Sequence, residues 1–162
     1  MPEFDSVERD GGLNQRGKPG MTRSRDPAVT SRMMARVRNK HSKAELAIRQ
    51  RLFQRGLRYR VHHTLVGKPD IVFTKRRVVV FIDGDFWHGN AWRLRGLASL
   101  AELFPNRTEW WVAKITRTMQ RDEEVTAALT AQRWLVLRYW ESAVLADPDI
   151  IAAEIEAIVR TR

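Results

Sequence analysis

From Ala44 onward, apolar side chains return every fourth residue at Ala44, Ile48 and Leu52, between polar and charged neighbours, and Gly56 follows. That period predicts an amphipathic helix stopped at its C-terminal side by the glycine. Just ahead, Ser42-Lys43-Ala44-Glu45 has the capping-box pattern, so Glu45 carries a structural task as the third-position acid. Residues 57–62 alternate apolar and polar and predict a first strand, with a loop through Gly67 behind it. Two further runs, Pro69-Asp70-Ile71-Val72-Phe73 and Val78-Val79-Val80-Phe81-Ile82, flank the basic turn Thr74-Lys75-Arg76-Arg77 and predict a hairpin. The second run is continuously apolar, as expected of a strand covered on both faces. It ends at Asp83, which puts this carboxylate at a strand end with Asp70 close by on the neighbouring strand.

Downstream, residues 89–107 mix Gly, Asn and Pro105 with no clear period, the pattern of a long functional loop rather than ordered scaffold. Trp111, Ile115, Met119, Val125 and Leu129 then recur at helical spacing across residues 108–132, with Asp122 out of keeping and Asn106 or Thr108 as the expected cap. Residues 134–140 read as a strand ended by Glu141. Asp147-Pro148 opens a last helix whose buried side is expected to carry Ile150, Ile151, Ile155 and Ile158. Upstream, residues 1–24 read as a disordered leader. Asp26-Pro27 starts a short amphipathic segment over residues 28–38, with Val29, Met33, Met34 and Val37 among arginines. The order is helix, three strands, helix, strand, helix: an α/β chain with one domain over residues 25–162.

The 162 residues, 43% of them hydrophobic, are enough for a real core. The absence of Cys excludes disulfides and thiolate zinc sites, and no apolar run approaches the roughly 20 residues needed to span a bilayer. Residues 1–20 lack the apolar segment of a signal peptide, so a cytoplasmic protein is expected. The net charge of +10 is localised: residues 23–60 hold 12 Lys or Arg against only Asp26 and Glu45, and elsewhere 17 basic residues balance 17 acidic ones. A basic stretch is often a solvated helix face, but one so concentrated is the footprint of a phosphate-backbone binder.

Chemistry concentrates in Phe81-Ile82-Asp83-Gly84-Asp85-Phe86-Trp87-His88. Acids from adjacent strands with a histidine five residues on suit a hard divalent cation and a proton acceptor beside it. Pro-Asp alone is also a common turn pair. Followed by a hairpin and an apolar strand ending in an acid, it has the layout of the restriction-endonuclease-like nucleases, a central mixed β-sheet flanked by helices. The lysine usual two residues after the second acid is replaced by Asp85, which leaves His88 as the available base.

These residues resemble the very-short-patch-repair (Vsr) mismatch endonucleases. The likeness runs from about Thr30 to Glu141 and includes Ser31-Arg32-Met33-Met34, Glu45, Gly67-Lys68-Pro69-Asp70, the Phe-x-x-Gly-x-Phe-Trp-His run ending at His88, Arg107-Thr108-Glu109-Trp110, Lys114-Ile115, Arg121-Asp122 and the last strand with Glu141. The resemblance implies a Mg²⁺-dependent nick 5′ of the mispaired thymine in a T:G pair left by 5-methylcytosine deamination. It implies Asp70 as the Mg²⁺ ligand together with the backbone carbonyl of Ile82, His88 as general base, and Glu45 and Asp83 in support. Met34, Phe86 and Trp87 would form an apolar wedge at the mismatch, and Arg32, Arg36, Arg107 and Lys114 would contact the DNA. The implied partner is double-stranded DNA carrying the mismatch, bound by a monomer that meets other repair proteins.

The sequence departs from the family at its structural zinc site. Asp85, Asn90, Trp92 and Ser142 fall where the Cys and His ligands are expected. No zinc is therefore expected, with packing through Trp92 holding the loop. Two other readings stay open: a nuclease of the same superfamily without mismatch preference, and a non-catalytic DNA-binding module.

Overall fold

The computed structural model describes residues 42–162. The leader, the segment 28–38 and the candidate DNA contacts Arg32, Met34 and Arg36 lie outside the described residues. Helix α1 spans Lys43–Gln54 and has the full capping box: Ser42 Oγ accepts from the Glu45 amide and the Glu45 side chain accepts from the Ser42 amide. Strands β1 (Ile71–Phe73) and β2 (Val78–Asp83) form the expected antiparallel hairpin, with Ile71 opposite Val80. The rest is α2 (Ala91–Leu94), a 3₁₀ turn (Ala101–Leu103), α3 (Thr108–Ala131), β3 (Leu135–Trp140), α4 (Glu141–Ala146) and α5 (Pro148–Thr161).

β2 is the middle strand, antiparallel to β1 and parallel to β3, with Val78 opposite Leu135 and Asp83 opposite Trp140. A parallel pair requires a crossover, which α3 supplies. Alternation along the strands divides the core. Ile71, Phe73, Val78 and Val80 pack with Ile48 and Leu52 of α1, Val144 of α4 and Ile155 of α5. Val72, Val79 and Phe81 pack with Val125 and Leu129 of α3. The mixed sheet with helices over both faces is the α/β, restriction-endonuclease-like architecture expected. Among the described residues no helix is long and apolar enough to cross a membrane.

Several local expectations are corrected. The strand predicted over residues 57–62 is a single bridge, Arg60 with Val72, because only that pair exchanges hydrogen bonds before His62, at φ 55°, turns the chain away. Residues 89–107 hold α2, the 3₁₀ turn and the buried Phe104 instead of an open loop. Neither Asn106 nor Thr108 caps α3: the cap residue is Arg107 in the left-handed region, and Thr108 Oγ1 donates to the Phe104 carbonyl at 2.5 Å. On α5 the buried positions are Ala152, Ile155 and Val159, whereas Ile150 is 64% exposed. α4, a short helix directly after β3, was not anticipated.

Gly67 adopts φ +74°, and a Cβ there would stand 2.3 Å from Val125 Cγ1 on α3, whereas Gly56 at φ +78° has open space around it. Gly67→Ala is therefore expected to cost about 2–4 kcal/mol and Gly56→Ala about 1 kcal/mol, compared by urea denaturation. Equal costs would show that contact with α3 does not constrain the loop leading to Asp70.

Candidate active site

Asp83 ends β2 on the face turned toward α3, and Arg138 lies on the same face of β3, opposite Phe81. Arg138 therefore reaches Asp83 two residues along, donating from Nε to Oδ2 and from Nη2 to Oδ1 at 2.7 Å each. Its Nη2 is also 3.0 Å from Asp122 Oδ1, and its guanidinium lies over the Phe81 ring at 4.7 Å. Burial opposes the charge of Arg138, but the bonds to Asp83 and the fields of Asp83 and Asp122 outweigh it, and its pKa is raised.

After β2 the chain turns at Gly84, whose carbonyl accepts from the amides of Trp87 and His88 at 3.1 Å each. The turn carries His88 to α3, where Nδ1–H donates to Asp122 Oδ2 at 2.5 Å, with Asp83 Oδ1 3.5 Å away. An ionised carboxylate accepts only, so this bond selects the tautomer that leaves Nε2 as the basic nitrogen. The four groups Asp83, His88, Asp122 and Arg138 line one end of a cavity of about 730 Å³ that continues along Met119, Thr126 and Tyr139.

Asp70 lies at the same end of the sheet. Its amide donates to the Val80 carbonyl at 3.0 Å, and its Oδ2 accepts from the Ile82 amide at 2.8 Å. Burial pushes its carboxyl up to about 6; the Ile82 N–H opposes this, Glu45 adds to it, Arg49 opposes it and Asp83 adds to it. Glu45 accepts from Arg49 Nη2 at 2.9 Å, and the same nitrogen donates to the Asp70 carbonyl at 3.1 Å. Thus the capping acid of α1 is also part of the surroundings of Asp70. Among the described residues no three His, Cys, Asp or Glu converge to hold a metal. Mg²⁺ commonly takes one or two carboxylates and completes its shell with water and substrate phosphate, and a buried acid disfavoured as the anion suits that use. Both oxygens of Asp83, by contrast, are taken up by Arg138.

Phe86 and Trp87 are half-buried in an aromatic cluster. Phe86 lies edge-on to Trp87, Phe104 and Trp111 at 4.9, 5.7 and 5.6 Å, and Phe104 stacks on Trp111 at 4.9 Å. Lys114 sits over Trp87, Trp110 and Trp111, and Arg107 over Trp110. Periodicity assigned no role to Asp122 or Arg138 and counted Trp111 as core. The misfit of Asp122 in an apolar stripe was the available signal.

At the positions of the family's zinc ligands, Asp85 is a hydrogen-bond hub. Its Oδ1 accepts from Asn90 Nδ2 at 2.6 Å and from Ser142 Oγ at 2.8 Å, and its Oδ2 accepts from the Ser142 amide at 2.9 Å. Its carbonyl accepts from the amides of Asn90 and Ala91. A set without thiolate or imidazole, with its one carboxylate already engaged, does not fit zinc. Hydrogen bonding through Asp85 joins the loop to α4.

A mixed sheet with a buried acid at the carboxyl end of its central strand, and a carboxylate-held histidine beside it, has the layout of the restriction-endonuclease-like nucleases, and the relatives of the chain make it a DNA endonuclease. The chain belongs to the Vsr family, as its relatives show, and the family model for DNA mismatch endonuclease Vsr matches residues 23–94. The Type II nicking enzyme V.NmeDIP of Neisseria meningitidis serogroup C is 39% identical over 137 residues, covering 84% of this chain and 89% of the relative. V.NaeI of Lentzea aerocolonigenes, also a Type II nicking enzyme, is 41% identical, covering 81% and 77%. The DNA mismatch endonuclease Vsr of Escherichia coli is 32% identical, covering 74% and 73%.

Two outcomes test this geometry. The raised Asp70 carboxyl takes up a proton on folding between its ordinary 3.8 and about 6, so its contribution to stability is full below pH 4 and is lost as pH rises through 6. Asp70→Asn keeps an acceptor for the Ile82 amide. In chelator at pH 8 it is expected to exceed the parent in stability by on the order of 2 kcal/mol, the gap closing toward pH 4 in urea titrations. For the hub, Asp85→Ala should cost roughly 2–4 kcal/mol, while a zinc-selective chelator, with Mg²⁺ in excess, leaves the parent's melting temperature unchanged. A chelator-induced drop would show that a metal holds this loop.

Proposed function

We propose that this endonuclease nicks one DNA strand 5′ of the thymine of a T:G mismatch, with Mg²⁺ held at Asp70 and the Ile82 carbonyl and with His88 as general base. The observation that carries the reading is the His88–Asp122 pair, with its Nε2 left basic, at the same strand end as the buried Asp70. His88 Nε2 takes the proton of the attacking water, Asp122 holds Nδ1–H and stabilises the imidazolium, and Arg138 fixes Asp83 and Asp122. Mg²⁺ supplies polarisation of the scissile phosphate and charge neutralisation. Asp70 holds it, and Glu45 with Arg49 positions the Asp70 backbone. Phe86 and Trp87 form a wedge that opens the stack, which a wobble pair resists less than a matched one. Arg32, Arg36, Arg107 and Lys114 contact the DNA, and the protein acts as a monomer. The names of the relatives, nicking enzymes and a mismatch endonuclease, support this reading.

Paired duplexes, T:G and C:G, incubated with Mg²⁺ test it. Nicking of the T:G duplex alone is expected, abolished in Asp70→Ala with DNA binding retained, and slowed by about two to four orders of magnitude in His88→Ala. Equal cleavage of both duplexes would overturn the mismatch specificity. Full activity in Asp70→Ala would overturn the metal assignment, and no cleavage by the parent would leave a binding module.

A further inference from the structure

The outer face of α3 carries a feature that the catalytic groups do not use. Arg107, Trp110, Lys114, Arg117 and Arg121 recur at intervals of three and four, which keeps them on one side of the helix. All five are exposed, Trp110 at 47%. Trp110, Lys114, Arg117 and Arg121 border a groove of about 650 Å³ lined also by Thr118 and Gln120. Glu124, next in the series, lines it as well.

Two kinds of cation share this stripe. Lys114 is held over three indole rings, 4.8 Å from that of Trp110 and 5.2 Å from that of Trp87, and Arg107 lies 5.2 Å from Trp110. Arg117 and Arg121 have neither ring nor carboxylate partner among the described residues, although Glu123 and Glu124 are near in sequence. Cations without an ion-pair partner along a groove that begins at an aromatic platform match the surface of a nucleic-acid backbone track. The stripe is about 21 Å long, enough to follow several consecutive phosphates of one strand. It also runs toward the catalytic histidine, since Asp122 follows Arg121 directly and bonds His88 from the same helix.

From this placement we infer that the α3 face is a phosphate track for the DNA flanking the scissile bond, with Arg117 and Arg121 as its principal cations and Trp110, which holds Lys114 and Arg107, at its other end. The inference rests on the endonuclease reading and extends the contact region beyond Arg107 and Lys114. Its occupant is duplex DNA, chosen by charge complementarity, and its contribution is independent of base sequence.

The test measures binding of a duplex by the full chain without metal, so that nothing is cleaved, across a salt series. Arg117→Ala/Arg121→Ala is expected to make the slope of log K against log salt shallower by about two, and to weaken binding roughly tenfold or more near physiological salt. Lys75→Ala/Arg76→Ala removes the same charge from the β1–β2 turn, at the far end of β2 from Asp83, and is expected to leave the slope unchanged. An unchanged slope in the folded α3 variant, or equal losses in both variants, would overturn the track and leave a solvated helix face or a general field effect. Mg²⁺-dependent nicking by the parent is scored separately, so failure of the track and failure of the endonuclease reading are told apart.

Discussion

Two carboxylates, an imidazole and a guanidinium meet at the carboxyl end of β2, and the arrangement is tenable in a half-buried setting because Arg138 supplies positive charge to both acids. Its fork on Asp83 satisfies both oxygens of that acid and ties β3 to β2 at the point where the chain leaves the sheet. Removing one partner of such a pair strands the other as a buried charge, which costs far more than the pair contributes. The parallel register of β2 with β3, the approach of α3 and the aim of His88 all converge on this contact.

Asp70 meets the opposite condition. It lies close enough to Glu45 and Asp83 to feel both, with Arg49 as the opposing cation, and burial raises its carboxyl to about 6. The fold therefore keeps one acid compensated and leaves the other disfavoured as an anion. A carboxylate held this way costs the folded protein stability once pH rises above about 6.

Asp85 shows how a loop can be held by hydrogen bonds alone. Its two oxygens and its carbonyl together receive bonds from Asn90, Ala91 and Ser142, joining the turn after β2 to the start of α4. Each such bond is directional, so the hub fixes orientation as well as distance. The aromatic cluster on the other side of the same loop is held by edge-on and stacked contacts instead, a looser constraint that leaves Trp110 largely exposed.

The sequence by itself determined the elements whose signals are local. The capping box and fourfold period of α1, the hairpin around its basic turn, the continuous apolar run of β2 and the long period of α3 were all legible, because caps, turns and periodicity act within a few residues. The Phe-Trp-His run marked the family. What only the tertiary structure decided are the pairings across long separations: His88 with Asp122, 34 residues away, Asp83 with Arg138, 55 away, and Asp85 with Ser142, 57 away. Each depends on the register of a parallel strand pair and on the crossover helix that makes it, and neither leaves a local signature. Burial on α5 and the reduction of residues 57–62 to one bridge have the same origin, since the neighbours that cover or pair a segment come from elsewhere in the chain.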